Sequence, residues 1–466
     1  MVQLVIVIGY FLITFLTGIL ARKKTVNSKA FDGAGLGMLL CVMVGAGEWM
    51  GGTATTGVSE YGYIYGISGA WYTIANGIGI CVLAAFFAKL FRSIEKPTVA
   101  GIIGNYIGQK ARFVSACILI FVMVTVGTSQ MIALGTLGQA LFGFDPNISI
   151  IVLGCGVLIY TVLGGMVAVG YTNILHMIVM YAGIVLALVV SSNKVGGISN
   201  LVTSLDDSFF SMSSIGIPKV SSWVTASVLG ACTAQAGLQP ILAAKDEKTA
   251  ISSSFLIALL VAPFGIFTAL LGMISKTIYP NLENAKMALP TLLMNLSPLV
   301  GGLVMASIFA AILSTASPIF LSCGTLFSRD VYSYLKQNKT NEKLLDSQVL
   351  KVARISTALL GGGCIAISVL LRNASTILDI VYFAYSLRGC LFVILLFGIY
   401  WKQLHEEAAV IAMVFSGIVG LGWVSYKSIF HTYPIFPYFS ETYATLLVAV
   451  ISTVIINTIV NHNSKN

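Results

Sequence analysis

Apolar runs, each about 17–25 residues long, follow one another from one end of this chain to the other, and few folds tolerate that pattern. They lie near 3–20, 35–57, 66–91, 113–142, 148–168, 172–192, 222–243, 250–275, 298–328, 350–371, 376–400, 407–426 and 439–460, about 13 in all. Lipid offers no water to a backbone N–H or C=O, so segments of this length cross it as helices. The mean hydropathy is +0.93 and only 9% of residues are charged, against about 25% in soluble domains. The chain therefore reads as an all-α polytopic membrane protein. The longest polar stretches, near 193–221 and 329–350, are too short to bury a core of their own.

The basic residues set an orientation. The first apolar run lacks a basic leader, and Arg22, Lys23, Lys24 and Lys29 follow it, the reverse of a signal peptide. On alternate loops about 19 of the 26 Lys and Arg fall on one side and about 6 on the other. The rich side holds Lys89, Arg92, Lys96, Lys110 and Arg112, then Lys245 and Lys248, then Arg329 through Arg354. By the positive-inside rule this side is cytoplasmic. The expectation is a multi-pass plasma-membrane protein with its N-terminus outside and its C-terminus cytoplasmic. The net charge of +9 is then an orientation signal, and no loop has the basic, aromatic-interleaved character of a nucleic-acid surface.

Eight cysteines all fall in apolar segments without a CxxC pair, and the four histidines are scattered. This spacing suits buried structural thiols better than a metal site. No nucleophile–base pair sits at membrane depth, so an enzyme is not expected.

One apolar run carries a bare acid among glycines: Val44-Gly45-Ala46-Gly47-Glu48-Trp49-Met50-Gly51-Gly52. A carboxylate at mid-bilayer costs about 2.5–3.5 kcal/mol on insertion scales. Glycines weaken the helix where the acid sits, and a broken membrane helix is tolerated where its freed carbonyls line a cavity or hold an ion. Five spans later comes Gly230-Ala231-Cys232-Thr233-Ala234-Gln235-Ala236-Gly237, again small and polar at its middle. Two interrupted helices at matching places point to a transporter built from inverted repeats; close helix packing on glycine is the plainer alternative. Glu48 is open to three roles: sodium partner, proton carrier, or half of a buried ion pair.

The ninth run contains Ala310-Ala311-Ile312-Leu313-Ser314-Thr315-Ala316-Ser317-Pro318. Positions 311, 314 and 315 share one helix face, giving two hydroxyls and a carbonyl. A hard cation such as sodium wants such oxygens, although hydroxyls bonded back to their own helix are common in membranes. Arg388 is the one cation deep inside a span. Its fork suits a substrate carboxylate, and equally an ion pair with Glu48 or Asp379. Trp49, Trp71, Tyr72 and Tyr385, with Asn76, Gln130, Thr233 and Gln235, are candidate walls of a small-solute pocket.

Four motifs in order resemble the sodium:solute symporter family. Gly164-Gly165-Met166-Val167-Ala168-Val169-Gly170-Tyr171-Thr172-Asn173 is similar to its GG-x-x-AV-x-x-TD signature. Leu238-Gln239-Pro240-Ile241-Leu242-Ala243-Ala244-Lys245-Asp246 is similar to its Q-R-x-x-AAK-D segment. Ala310 to Ser317, then Ser328-Arg329-Asp330-Val331-Tyr332, resembles AA-x-x-ST-x-x-S…DIY, and Phe397-Gly398-Ile399-Tyr400-Trp401-Lys402 resembles G-x-F-W-K. The resemblance implies a LeuT-like five-plus-five inverted repeat and sodium-driven uptake. It places the sodium carbonyls on Ala46 and Trp49, the other ligands on Ala311, Ser314 and Thr315, and Glu48 beside the ion. The chain departs from the pattern in having Asn173 for the signature Asp, His176 for the following Gln, Pro240 for Arg, Ala316 where some relatives carry an acid, and Pro318 after Ser317. The first two put a second sodium in doubt.

These readings combine into one expectation. An extra N-terminal helix and loop occupy 1–34, five-helix repeats 35–192 and 222–400, an extracellular loop 193–221, and two final helices 401–466. The function expected is sodium-coupled import of a small polar solute by alternating access, with an amino acid or carboxylate favoured. Sodium binds at Ala46, Trp49, Ala311, Ser314 and Thr315. The solute meets Glu48, Trp71, Tyr72, Gln130, Gln235, Tyr385 and Arg388. The partners are that solute and the lipid bilayer, with no nucleic acid and no obligate protein partner evident. Alternatives are a proton-coupled carrier using Glu48, a sugar symporter, and a transporter-like sensor, for which no signalling module follows Asn466.

Overall fold

The computed structural model describes residues 2–21, 35–340, 345–373, 377–436 and 438–463. The basic cluster Arg22 to Lys29 lies outside them, as does most of the predicted first loop. Among the described residues ten helices are long and apolar enough to span a bilayer, and Val2–Gly18, Met38–Trp49 and Ala285–Met294 are shorter apolar helices. Among the described residues strand pairing is limited to one isolated bridge, Leu36 to Ala244.

The difference from about 13 uniform spans has a local physical cause at each place. The run expected at 35–57 splits, because Met38–Trp49 stops and the chain resumes as the π-helical turn Thr53–Gly57. From there helical residues continue through Val58–Tyr65, a 3-10 turn at Gly66–Ala70, and Trp71–Val82, so the end of one expected span joins the next. The run at 222–243 likewise splits into Ile217–Ala231 and Gln235–Leu242. Two other expected spans form one stretch, Pro146–Lys194, that is kinked at Gly165 with φ 69° and ψ −179°. That backbone conformation is open to glycine and strained for other residues, so the GG pair of the first motif is a kink between two helices.

The rod Pro298–Leu326 is the axis of the molecule. It is buried along nearly its whole length and packs on Val2–Ala21, Gln109–Phe142, Pro146–Lys194 and Asp346–Leu371. Its small residues, Gly301, Gly302, Ala306, Ala310 and Ala311, allow that crowding. The last two helices, Glu406–Phe430 and Glu441–Asn463, pack on each other and on Ile377–Tyr400. They expose Ile411, Ile418, Leu447 and Ile455, as a lipid-facing surface does. Three cysteines expected to be buried, Cys81, Cys117 and Cys155, are exposed; the other five are buried, and all eight are free thiols. Their helices turn an apolar face outward, and a thiol is compatible with lipid.

Contacts between chain segments far apart in sequence sort into two ends. At one end Arg92 Nε donates to the Ala244 carbonyl, and Arg112 Nε pairs with Asp330 Oδ1 at 2.6 Å. At the opposite end Tyr63 donates to the Tyr279 carbonyl, Trp71 to Met212 and Lys286 to Arg372. At the first end Asp246 caps the helix Glu247–Ile278 by accepting from the Thr249 amide at 2.7 Å, which holds its carboxyl below the usual range. Asp330 is fully buried, while Lys110 and Glu407, 3.3 Å apart, are both exposed. Asp330→Asn should therefore lower unfolding stability by about 1.5–3 kcal/mol, and Glu407→Gln by less than about 1 kcal/mol, read as thermal unfolding of the detergent-solubilised protein.

Candidate functional site

The first break covers residues 50–52, shorter than the glycine run suggested. Gly45 and Gly47 stay helical, and Glu48 occupies the last turn of Met38–Trp49. The Met50 amide donates to the Gly47 carbonyl at 3.4 Å instead of to Ala46 four residues back. The Gly52 amide leaves the helix ladder altogether and donates to Gln130 Oε1 at 2.7 Å. The carbonyls of Ala46 and Glu48 thereby lose their regular helical donors. Gln130 Nε2 also donates to Thr53 Oγ1 at 2.7 Å. Gln130, a predicted pocket wall, thus spends its amide holding the break in shape.

The rod meets this break directly. Thr315 Oγ1 donates to the Gly47 carbonyl, and Ser314 Oγ donates to the Ala311 carbonyl at 2.8 Å. Ser314 and Thr315 are both buried. A Cβ on Gly51 would run into Thr315 and Gln130, so only glycine lets the rod come this close. The carbonyl joined to the rod is that of Gly47, between the two expected at Ala46 and Trp49. Its tightened last turn was not visible in the sequence pattern. Asn173 Nδ2 donates to the Ser314 carbonyl at 3.2 Å, so this amide closes off one side of the cluster. His176 Nδ1 bonds Tyr10 OH on the first helix, and Tyr160 OH bonds Ser317 Oγ. Tyr10 and Tyr160 carried no motif that would have drawn attention to them.

Glu48 and Arg388 meet at the centre. Arg388 Nη2 lies 3.3 Å from Glu48 Oε1, and both side chains are sealed from solvent at 0% and 1% exposure. The second break, residues 232–234, abuts the same point. Thr233 Oγ1 donates to the Arg388 carbonyl at 2.7 Å, and Gly230 packs on the Arg388 side chain. The guanidinium stands over the Tyr385 ring at 4.8 Å and the Trp49 ring at 5.8 Å, and Tyr385 OH shares a hydrogen bond with Tyr72 OH at 3.1 Å. The pair is incomplete. Arg388 Nε and Nη1 and Glu48 Oε2 have no hydrogen-bond partner. Leaving two charged donors and a charged acceptor unmet in a low dielectric is costly, and a ligand supplying their complements would remove that cost.

Two predicted pocket residues stand apart from this centre. Trp71 begins its helix at the end of the molecule and gives its indole N–H to Met212. Gln235 accepts from the Val99 amide at 2.8 Å, tying the second half-helix to Val99–Tyr106. Among the described residues no cluster of three or more His, Cys, Asp and Glu could hold a metal ion.

Comparison with known proteins fits this geometry. The sequence pattern of the sodium:solute symporter family matches residues 31–416. The osmoregulated proline transporter OpuE of Bacillus subtilis (strain 168) is 25% identical over 451 residues, spanning 91% of this chain and 89% of that protein. In fold, the chain resembles a sodium-coupled sialic acid symporter solved substrate-bound and outward-open, with TM-score 0.81, 19% identity and 98% of both chains covered. It also resembles MhsT in complex with L-phenylalanine, with TM-score 0.52, 15% identity, and 91% of this chain and 98% of that one covered. These neighbours are LeuT-fold transporters.

The ion pair makes a thermodynamic prediction. Arg388→Gln or Glu48→Gln alone strands a buried charge and should cost about 3–5 kcal/mol. The double variant should recover most of that loss. A thermal-unfolding double-mutant cycle measures the coupling, and additive losses would show that the two groups do not interact.

Proposed function

This chain belongs to the sodium:solute symporter family, and on that premise we propose that it imports a small zwitterionic amino acid together with one sodium ion. It is a multi-pass membrane transporter and not an enzyme. The observation that carries the solute class is the incomplete Glu48–Arg388 pair. An α-amino acid offers a carboxylate to an open edge of Arg388, at Nε or at Nη1, and an ammonium group to Glu48 Oε2, whereas a sugar offers neither charge. Tyr72, Tyr385 and Trp49 would form the walls. The proline transporter among its relatives agrees with this class.

Sodium would bind where the first break meets the rod, held by carbonyls of Ala46, Gly47 and Trp49, the Ala311 carbonyl, and the hydroxyls of Ser314 and Thr315. The ion would bridge the half-helix and the rod, so its binding would favour whichever state brings them together. A single ion per cycle is the reading supported by Asn173, whose neutral amide donates to the Ser314 carbonyl where a carboxylate could have drawn a second cation. A sodium ion crossing about 100 mV releases about 2.3 kcal/mol. A tenfold gradient adds about 1.4 kcal/mol. One-to-one coupling would then sustain a solute ratio of several hundred.

The proposed architecture has 13 crossings: repeats 35–192 and 222–400, an additional segment 1–34, an outer loop 193–221 and a terminal pair 401–466. The sorting of long-range contacts into two ends supports alternate crossings, and the excess of Lys and Arg at the Arg92, Arg112 and Arg329 end supports a cytoplasmic assignment there. The N-terminus is then outside and the C-terminus inside the plasma membrane. Alternating access would rock one set of helices against the other around the two breaks.

Uptake into proteoliposomes tests the reading. Replacing sodium by choline at fixed pH should abolish concentrative uptake of the transported amino acid. Thr315→Val should raise the sodium half-saturation about tenfold or more. The Glu48→Gln/Arg388→Gln double variant should fold and fail to concentrate the solute. Uptake that is indifferent to sodium, or undiminished in the double variant, would overturn the proposal.

A further inference from the structure

The helix Trp71–Val82 turns two faces to its neighbours. One packs on Glu247–Ile278: Thr73 Oγ1 donates to the Ala262 carbonyl at 3.1 Å, and a Cβ on Gly77 would run into Ala262. The other carries Tyr72, Asn76 and Gly79 at helical spacing, and it faces the two helices that hold the centre. Tyr72 OH shares its hydrogen bond with Tyr385 OH on Ile377–Tyr400, the helix of Arg388. A Cβ on Gly79 would lie 2.6 Å from the Ser227 carbonyl on Ile217–Ala231, the helix that leads into the second break. Asn76 sits between these two contacts, one turn from Tyr72.

Asn76 is 0% exposed, and neither its Oδ1 nor its Nδ2 has a hydrogen-bond partner. A carboxamide carries two donors and an acceptor, so the helix buries a whole set of unmet groups, at a cost that alanine or leucine there would avoid. Helix packing therefore does not account for this residue. Gln130 and Gln235 differ from it, since each accepts from a backbone amide. Tyr385 OH is close to Asn76, yet it completes its hydrogen bond with Tyr72 instead. Ser227 Oγ, on the facing helix, is also buried without a partner. The Tyr385 ring lies under the Arg388 guanidinium at 4.8 Å. One aromatic residue thus separates the unmet carboxamide from the charged pair.

We propose that Asn76 selects the side chain of the solute, and that the solute is an amino acid whose side chain ends in a carboxamide or a hydroxyl. Glu48 and Arg388 hold the ammonium and carboxylate groups on the transport reading above, and the selection by Asn76 rests on that reading. With those two ends fixed, the side chain would pass Tyr385 and reach Asn76. A carboxamide or hydroxyl both donates and accepts, so it would satisfy Oδ1 and Nδ2 together. An aliphatic side chain of the same shape would leave both atoms unmet. Sites built to hydrogen-bond a ligand reject the analogue lacking that group far more strongly than an apolar pocket rejects a missing methylene. Asn76 would therefore decide which amino acid enters, while the charged pair decides that it is an amino acid.

Equilibrium binding of radiolabelled L-asparagine, L-leucine, L-threonine, L-valine and L-proline to the purified full-length protein in sodium chloride tests this. Asparagine and leucine are nearly equal in shape, as are threonine and valine, so each pair isolates the polar group. The polar member of at least one pair should bind about tenfold or more tightly than its partner. Asn76→Leu should remove that preference by weakening the polar member, with the affinity for the apolar member kept within about threefold. Asn76→Ala should do the same and covers the case in which leucine does not fit, and Asn76→Ser should keep part of the preference. A merely structural role for Asn76 would weaken every ligand by a similar factor and leave the ratios intact. Equal affinities within both pairs, proline bound more tightly than all four, or ratios unchanged in the Asn76 variants would overturn the selection by Asn76 and leave the transport reading standing. Saturable binding of none of the five would overturn both.

Discussion

Hydrocarbon leaves no backbone polar group to water, and every unusual feature of this protein follows from how it meets that constraint at two interruptions. At residues 50–52 the ladder is cut, and Gln130, Thr315 and a tightened turn at Gly47 take up the freed groups. At residues 232–234 a hydroxyl from the loop, Thr233, reaches the Arg388 carbonyl. The first repair recruits side chains from two other helices, and the second ties the loop to the backbone of Ile377–Tyr400. The breaks are consequently stable only within the assembled bundle, and the rod Pro298–Leu326 has to pass beside the first of them.

The same packing explains the central ion pair. A glutamate and an arginine buried together with one contact between them are poorly compensated. Helices that were merely to be held together would be better served by apolar side chains of equal volume. The tyrosine and tryptophan faces around the guanidinium soften the cost without completing the hydrogen bonding. Structure that is under-satisfied in this way suits a ligand, and the closeness of Gly47 and Thr315 puts the proposed ion-binding oxygens within a few residues of it. Solute and ion would then act on the same half-helix, Met38–Trp49. Coupling through one rigid element requires no long chain of intermediates.

Several of these features were legible in the residues. The interruptions were readable because small and polar residues sit at the middle of apolar runs, and the 311, 314, 315 face was readable from helical spacing. The extent of the first break was not. Gly45 and Gly47 stay helical, and there glycine serves close approach of neighbours: a Cβ at Gly45 would strike Ile257, and one at Gly47 would lie 2.9 Å from the Ser314 carbonyl. Trp71, Gln130 and Gln235 looked like pocket walls because polar and aromatic residues in membrane spans suggest function. The structure shows Gln130 and Gln235 each accepting from a backbone amide and Trp71 donating to the Met212 carbonyl.

By itself the sequence determined the medium, the helical class and the places where helices must fail, because hydropathy and glycine act locally along the chain. It also singled out Glu48 and Arg388 as charges that lipid would not accept alone. Tertiary structure decided that they face each other across 340 positions of sequence and which carbonyl meets Thr315. Pairing of this kind depends on which helices become neighbours, and that is set by the packing of the whole bundle around its central rod.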